Sequence, residues 1–251
     1  MAKQRISLTL EEETVERIDR EADRESLNRS QKIQRVLENH FESKGLKNAV
    51  VLCGDPEVKS LNLYKGRSVL AHILEHLSEE GIRRAVLLAG QNRERIRKEF
   101  GKEYEGVNLD YVEEESPRGT AAALNQVEAE LGDESFVVLN GHVITDVDLD
   151  EMLRTHREQD TIATMALTTV ENPTNYGVAR LKGQKILGFE EKPDPGNAPS
   201  RLINAGTYIF QPEIFQHLDN NSLEQVFEKL VDEDHLSGYI YGGEWIDIDD
   251  R

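Results

Sequence analysis

Ile6, Leu8 and Leu10 alternate with Arg5, Ser7 and Thr9 in the stretch QRISLTL, a period of two that predicts a strand with one buried face. The period then lengthens. Acidic residues open EEETVERIDREAD, and Val15, Ile18 and Ala22 recur at helical spacing, which predicts a first helix. Asn28 is placed to cap a second helix, along which Ile33, Val36, Leu37, His40 and Phe41 form one stripe. A strand and two helices in about 40 residues cannot bury their apolar faces alone and need a partner chain.

After the short linker SKGLKN the pattern changes again. AVVLCG begins like a buried strand, and AVLLAG, LDYVEE and SFVVLNG follow, each leading into a helical pattern: 68–80, 91–100, 119–131 and 149–158. Further strands are expected in IATMALTTV, YGVARLKGQKILGFEEK and INAGTYIFQPE. Strands spaced by helices imply a doubly wound, mostly parallel sheet covered on both faces. The expected fold class is therefore α/β, with a small N-terminal module at 1–44 and a Rossmann-like domain at 49–251.

Composition sharpens this division. The chain has 251 residues and a net charge of −18, yet residues 1–47 hold 10 basic and 10 acidic residues of the 30 and 48 in all. The remaining 20 basic and 38 acidic residues give the large domain the whole negative charge. Such a field repels nucleic acid, so any DNA contact must come from the neutral N-terminal segment. Acidic surface with few lysines also suits a cytoplasm of high salt, as in a salt-adapted archaeon. No apolar run approaches a membrane span and the N-terminus lacks a signal core, so a cytoplasmic protein with no membrane partner is expected. The single cysteine, Cys53, lies inside the first apolar strand and reads as a core residue, with no disulfide framework or zinc cluster.

With its strand, acidic helix start and LNRSQKIQRVL, the N-terminal segment resembles the ribbon–helix–helix family of DNA-binding proteins. In that family two chains pair their strands into a ribbon that enters the major groove. The resemblance implies that Arg5, Ser7 and Thr9 face base edges, where Arg pairs with guanine and small hydroxyls reach either base type. It also implies that main-chain N–H groups at Asn28, Arg29 and Ser30 clamp a phosphate. Without DNA, the same residues would be only the solvated face of a dimerising ribbon.

The large domain carries five ordered motifs: EEESPRGTAAAL, VVLNGHV, NPTNYGVARL with GFEEKP, LINAGTYIF, and EWIDID. Together they resemble the nucleotide-sugar nucleotidyltransferases, which join a sugar phosphate to a nucleoside triphosphate and release pyrophosphate. The resemblance places Gly119 and Thr120 against the nucleotide and Asn140 and Gly141 at a strand end. It places Tyr176, Gly177, Glu190, Lys192, Asn204 and Gly206 around the sugar, and Lys59 at the family's lysine. The family also has a glycine-rich loop, GGxGTRLxPLT, after its first strand. Here CGDPEV replaces it, roughly ten residues shorter than a loop whose backbone N–H groups wrap a triphosphate and whose arginine steadies the transferred phosphorus. Asp55 and Glu57 put negative charge where that triphosphate would lie.

One of the family's two Mg²⁺ aspartates is replaced by His142, while Asp247 keeps the other place; two such ligands argue poorly for zinc or nickel, and no metal is expected. Phosphoryl transfer depends on positioning and charge stabilisation. The expected protein is thus a sequence-specific transcriptional regulator that binds DNA as a homodimer or higher homo-oligomer. Its C-terminal domain would be catalytically inactive, take no cofactor, and sense a nucleotide sugar or sugar phosphate or build oligomers. The alternative is a divergent sugar-phosphate nucleotidyltransferase using Mg²⁺, dimerised by its N-terminal module.

Overall fold

A computed structural model describes residues 7–25, 27–42, 45–112, 119–218 and 222–250. They fall into two compact units, Met1–Lys44 and Gly45–Arg251.

In the first unit, α1 (Glu12–Arg24) and α2 (Arg29–Glu42) pack together. Asn28 caps α2 reciprocally: its Oδ1 accepts from the Gln31 N–H at 3.0 Å, and its own N–H donates to Gln31 Oε1 at 2.9 Å. Lys32, nearly buried, lies between Glu25 at 2.7 Å and Glu21 at 3.2 Å. Residues 7–10 pair with no strand. A strand's N–H and C=O groups need a second strand, and a single chain offers none here. Arg5 and Ile6 lie outside the described residues, as do the side chains of Leu37, His40 and Phe41.

The second unit opens with β1 (Asn48–Leu52), a hairpin of β2 (Leu63–Tyr64) and β3 (Arg67–Ser68), and α3 (Val69–Glu79). β4 (Arg84–Leu88), α4 (Arg93–Phe100), β5 (Glu103–Tyr104) and β6 (Val107–Val112) follow. The expected helix over 119–131 is broken into α5 (Thr120–Asn125) and α6 (Glu128–Leu131). Then come β7 (Phe136–Asn140), β8 (Val143–Thr145), α7 (Leu149–Gln159) and β9 (Ala163–Thr169). β10 (Gly177–Lys182), β11 (Lys185–Glu191), β12 (Leu202–Phe210), α8 (Leu223–Asp232), β13 (Leu236–Ile240) and β14 (Trp245–Asp247) complete the unit.

Ten strands form one sheet in the order β10-β11-β13-β9-β12-β7-β1-β4-β6-β5. Pairing is parallel across β7-β1-β4-β6 and between β13 and β9. It is antiparallel at β12 with both β7 and β9, within the β10–β11 hairpin, and at β5–β6. The expected mostly parallel sheet is therefore mixed. After β7, hairpins and direct returns replace several of the helical crossovers that parallel strands require.

The central strands are buried on both faces, which is why they read as unbroken apolar runs. In β1, Ala49 and Val51 join one core with Leu70, Leu74 and Leu139, while Val50 joins the other with Val138, Phe210 and Phe227. From β1 the chain crosses first to β4 on one side and later reaches β7 on the other. Their carboxyl ends, Leu52, Leu88 and Asn140, border the crevice where the strand order reverses, the usual ligand position of open α/β sheets.

Candidate active site

A cleft of about 280 Å³ lies at that reversal. Leu52, Leu88 and Asn140 form its floor, Gly119, Thr120 and Ala123 one wall, and Tyr208, Leu223 and Glu224 another. Gly54, Asp55 and His142 complete the lining. The walls are tied together: the Leu223 N–H donates to Thr120 Oγ1 at 3.0 Å, joining α8 to α5. Ser222 and Gln225 form a capping box that starts α8 at this point.

The sequence-derived residues do not all meet at this cleft. Gly119, Thr120 and Asn140 line the cleft. Asn204 belongs to the cleft through Tyr208: its Nδ2 donates to the Tyr208 hydroxyl at 2.8 Å, and its Oδ1 accepts from the Gly206 N–H at 3.0 Å. Burial pushes the Tyr208 phenol well above its ordinary pKa, so it stays a neutral hydroxyl. Gly141 and Gly177 serve close packing. A Cβ on Gly141 would sit 2.5 Å from the Leu52 carbonyl oxygen, and one on Gly177 would sit 2.3 Å from the Phe189 ring. Tyr176 donates from its hydroxyl to Asp250 and meets Trp245 edge-on at 5.4 Å.

Glu190 and Lys192 are both exposed, whereas the intervening Glu191 is half-buried. Burial raises the Glu191 pKa, and Glu224 and then Glu228 add to the rise. Strand alternation explains the difference. Glu191 pairs with Gly177 at the inner end of the β10–β11 hairpin, and its neighbour points the other way. Of these two adjacent glutamates, Glu190 was the one expected near the sugar, and Glu191 is the one on the half-buried side.

Where the long loop was expected, the chain makes a tight turn. Both Asp55 carboxylate oxygens accept from the Lys59 N–H at 3.1 Å, and the Asp55 carbonyl accepts from Asn92 Nδ2 at 2.9 Å. Val58, buried and β-branched, holds a left-handed φ of 54°, a strained conformation for such a residue. Lys59 reaches across to Asp249, with Nζ 2.6 Å from Oδ2, and this carboxylate raises the ammonium's pKa. Cys53 is fully buried and its thiol is pushed up to about 12 by burial, so it is a core residue and not a nucleophile.

His142 and Asp247 are joined by a third side chain. One donor atom each from His142, Asp247 and Asp249 lie within 4.8 Å of one another. Sequence reasoning missed Asp249, although carboxylates two apart in WIDID are a period-two signal. An imidazole and two carboxylates suit a divalent cation by donor chemistry.

Residues 52–249 match the family model of the nucleotidyl transferases. The chain belongs to the nucleotidyl transferase family. It is 32% identical over 199 residues to the catalytic subunit beta of mannose-1-phosphate guanylyltransferase from Danio rerio, covering 76% of this chain and 55% of that one. It is 30% identical over 183 residues to D-glycero-alpha-D-manno-heptose 1-phosphate guanylyltransferase from Aneurinibacillus thermoaerophilus, covering 71% of this chain and 78% of that one. The chain spans about half the length of several of the curated relatives it matches. A solved UDP-glucose pyrophosphorylase from Acinetobacter baumanii superimposes with a TM-score of 0.71 at 20% identity, over 81% of this chain and 89% of that one. That likeness supports the fold alone.

These matches correct the expected function. They point to a sugar-phosphate nucleotidyltransferase, the alternative reading, and not to a DNA-binding regulator or an inactive relative of the transferases. The shortened loop weighed too heavily in the expectation, because it is one segment of a chain that matches its relatives over three quarters of its length. Of the groups expected to hold DNA, Asn28, Arg29 and Ser30 stand at the start of α2. Arg29 donates to Asp19 through Nε and Nη2 at 2.7 and 2.6 Å, within its own chain. Ser7 and Thr9 lie in the unpaired segment, and Ser30 is exposed in the first turn of α2.

Proposed function

We propose that residues 45–251 form a sugar-phosphate nucleotidyltransferase site. The cleft at the strand-order reversal carries this reading, since Thr120, Asn140, Tyr208 and His142 line one crevice and donor atoms of Asp247 and Asp249 lie within 4.8 Å of one on His142. The nucleoside lies against Leu52, Leu88 and the Gly119–Ala123 wall, and the sugar reaches toward Asn204 and Glu191, whose carboxylate accepts from sugar hydroxyls. An oxygen of the sugar phosphate attacks the α-phosphorus, and the α–β anhydride bond breaks with its electron pair leaving on pyrophosphate. Asp55 and Glu224 make the lining acidic, so positive charge must be supplied to a polyanion. Lys59 provides one charge. His142, Asp247 and Asp249 would hold a divalent ion, Mg²⁺ in the family's usual chemistry, which when bound neutralises phosphate oxygens.

The names of the relatives make GTP and mannose 1-phosphate the first pair to test. Pyrophosphate release should be measured with four nucleoside triphosphates against mannose and glucose 1-phosphates, from low to molar salt. Release with one preferred pair is expected. Lys59→Ala should lower kcat by about 10²–10³-fold, as for loss of a charge-stabilising donor. No release from any pair by folded protein would overturn the reading.

For the N-terminal unit, boundaries at 1–44 and a dimerising role follow as part of the same proposal. Leu8, Leu10 and Val36 are 55%, 40% and 48% exposed, more apolar surface than a two-helix unit sheds on its own. Sedimentation of the full chain should give a dimer, and Leu8→Glu with Leu10→Glu should give a monomer. Monomeric wild-type protein at micromolar concentration would rule the role out.

A further inference from the structure

The His142–Asp247–Asp249 group is fixed by the backbone beneath it. Antiparallel pairing of β14 with β8 sets Asp247 opposite Val143, and the Ile248 N–H donates to the His142 carbonyl at 3.2 Å. The Asp249 N–H then donates to Asp247 Oδ1 at 2.9 Å, which orients that carboxylate. Lys59 Nζ donates to Asp249 Oδ2 at 2.6 Å. Among the described residues no hydrogen bond engages the His142 imidazole, and one donor atom each from His142, Asp247 and Asp249 lie within 4.8 Å of one another.

This donor set is not neutral between metals. Mg²⁺ demands hard oxygen ligands and gives up its water reluctantly, so exchanging an oxygen for an imidazole nitrogen weakens its hold. First-row transition ions gain from the same exchange, because imidazole suits them and affinity at mixed nitrogen and oxygen sites rises from Mn²⁺ toward Cu²⁺. The Lys59 ammonium adds a second bias. It already neutralises part of the Asp249 charge, and an ion held mainly by charge loses more from that than one that also bonds to nitrogen.

We infer that His142 makes this a site for a first-row transition ion, of the Mn²⁺ or Co²⁺ type, in preference to Mg²⁺. His142 is here a specificity-determining ligand that sets which cation serves the cleft. The inference rests on the donor set and is independent of whether transfer takes place.

The test uses the full chain with metal alone and no nucleotide. Titration calorimetry should give a Kd for Mn²⁺ and for Co²⁺ at least about tenfold below that for Mg²⁺, and His142→Asp should shrink this ratio to within about threefold. Electron spin-echo modulation of the Mn²⁺ complex should show coupling to an imidazole ¹⁴N in the wild-type protein. That readout does not depend on how the variant folds. Equal affinities for Mn²⁺ and Mg²⁺, a ratio unchanged by His142→Asp, or a Mn²⁺ spectrum without nitrogen coupling would each overturn the inference. Failure of pyrophosphate release beside tight, nitrogen-coupled Mn²⁺ would instead count against the transferase reading alone.

Discussion

The two units reach order by different routes. In Gly45–Arg251, aromatic and aliphatic side chains fill both faces of a ten-stranded sheet, and Tyr208, Phe210 and Phe227 have no solvent exposure beyond 1%. In Met1–Lys44 the described residues that reach full burial are Ala22 and Lys32. The helices there are held by a cap and by ion pairs at the surface. A large domain can thus carry strained turns, a buried histidine and an acidic cleft on surplus core energy, whereas the described residues of the small unit supply little buried apolar surface.

Core truncation should therefore give the largest effect. Phe227 packs against Tyr208 at 4.9 Å and Phe189 at 5.8 Å between ring centroids, and Phe227→Ala should destabilise the large unit by about 3–5 kcal/mol in urea unfolding. A cost below about 1 kcal/mol would mean that the aromatic cluster is loosely packed.

Acid should come next. His156 is 1% exposed, its Nδ1 meets Thr164 Oγ1 at 2.8 Å, and its pKa is lowered to about 4 by burial, with Arg157 adding to the effect. The group is neutral in the folded chain and takes up a proton more readily when unfolded. Its contribution is complete above the unfolded pKa of 6.5 and is lost as pH falls toward 4, at about 1.4 kcal/mol per pH unit. Thermal melts of wild type and His156→Gln at pH 7 and 5 should differ in slope, the variant losing less on acidification. Parallel slopes would remove His156 from the acid response.

Effects in the small unit should be smaller. Asn28→Ala removes the side-chain half of the reciprocal cap, the bond Asn28 Oδ1 accepts from the Gln31 N–H, and should cost about 1 kcal/mol of α2 stability, read by hydrogen exchange of Gln31 and Lys32. Arg29→Ala breaks an exposed pair with Asp19 and should cost less than loss of the cap, less still in high salt. A loss larger than that of Phe227→Ala would reverse the contrast between the units.

What was legible in the sequence follows the same division. Runs such as AVVLC and FVVLN declare central strands because both faces are buried, and α3, α4 and α7 lie within two residues of their expected bounds. Asn28 as a cap was legible from residue type and position. The antiparallel half was harder to read. LSGYI is a short strand with no pattern of its own, and β13 exists because β9 offers it an edge. Glu190 and Glu191 could not be told apart, because a register shift between Arg180 and Leu181 sets the phase of the hairpin. Asp249 entered the cation set through a turn after β14 that no local propensity announces. The short loop is plain in the residues between Cys53 and Lys59, but its length does not decide the chemistry. A missing loop says nothing about which other groups supply charge in its place.

Transfer itself is tested most directly by ³¹P magnetic resonance on the full chain incubated with GTP, mannose 1-phosphate and Mn²⁺, with the paramagnetic ion chelated before spectra are recorded. The α-phosphorus signal of GTP should give way to a sugar-diphosphate pair while free pyrophosphate grows in equal amount. Unchanged GTP and mannose 1-phosphate, in protein that still binds both, would contradict a working transferase.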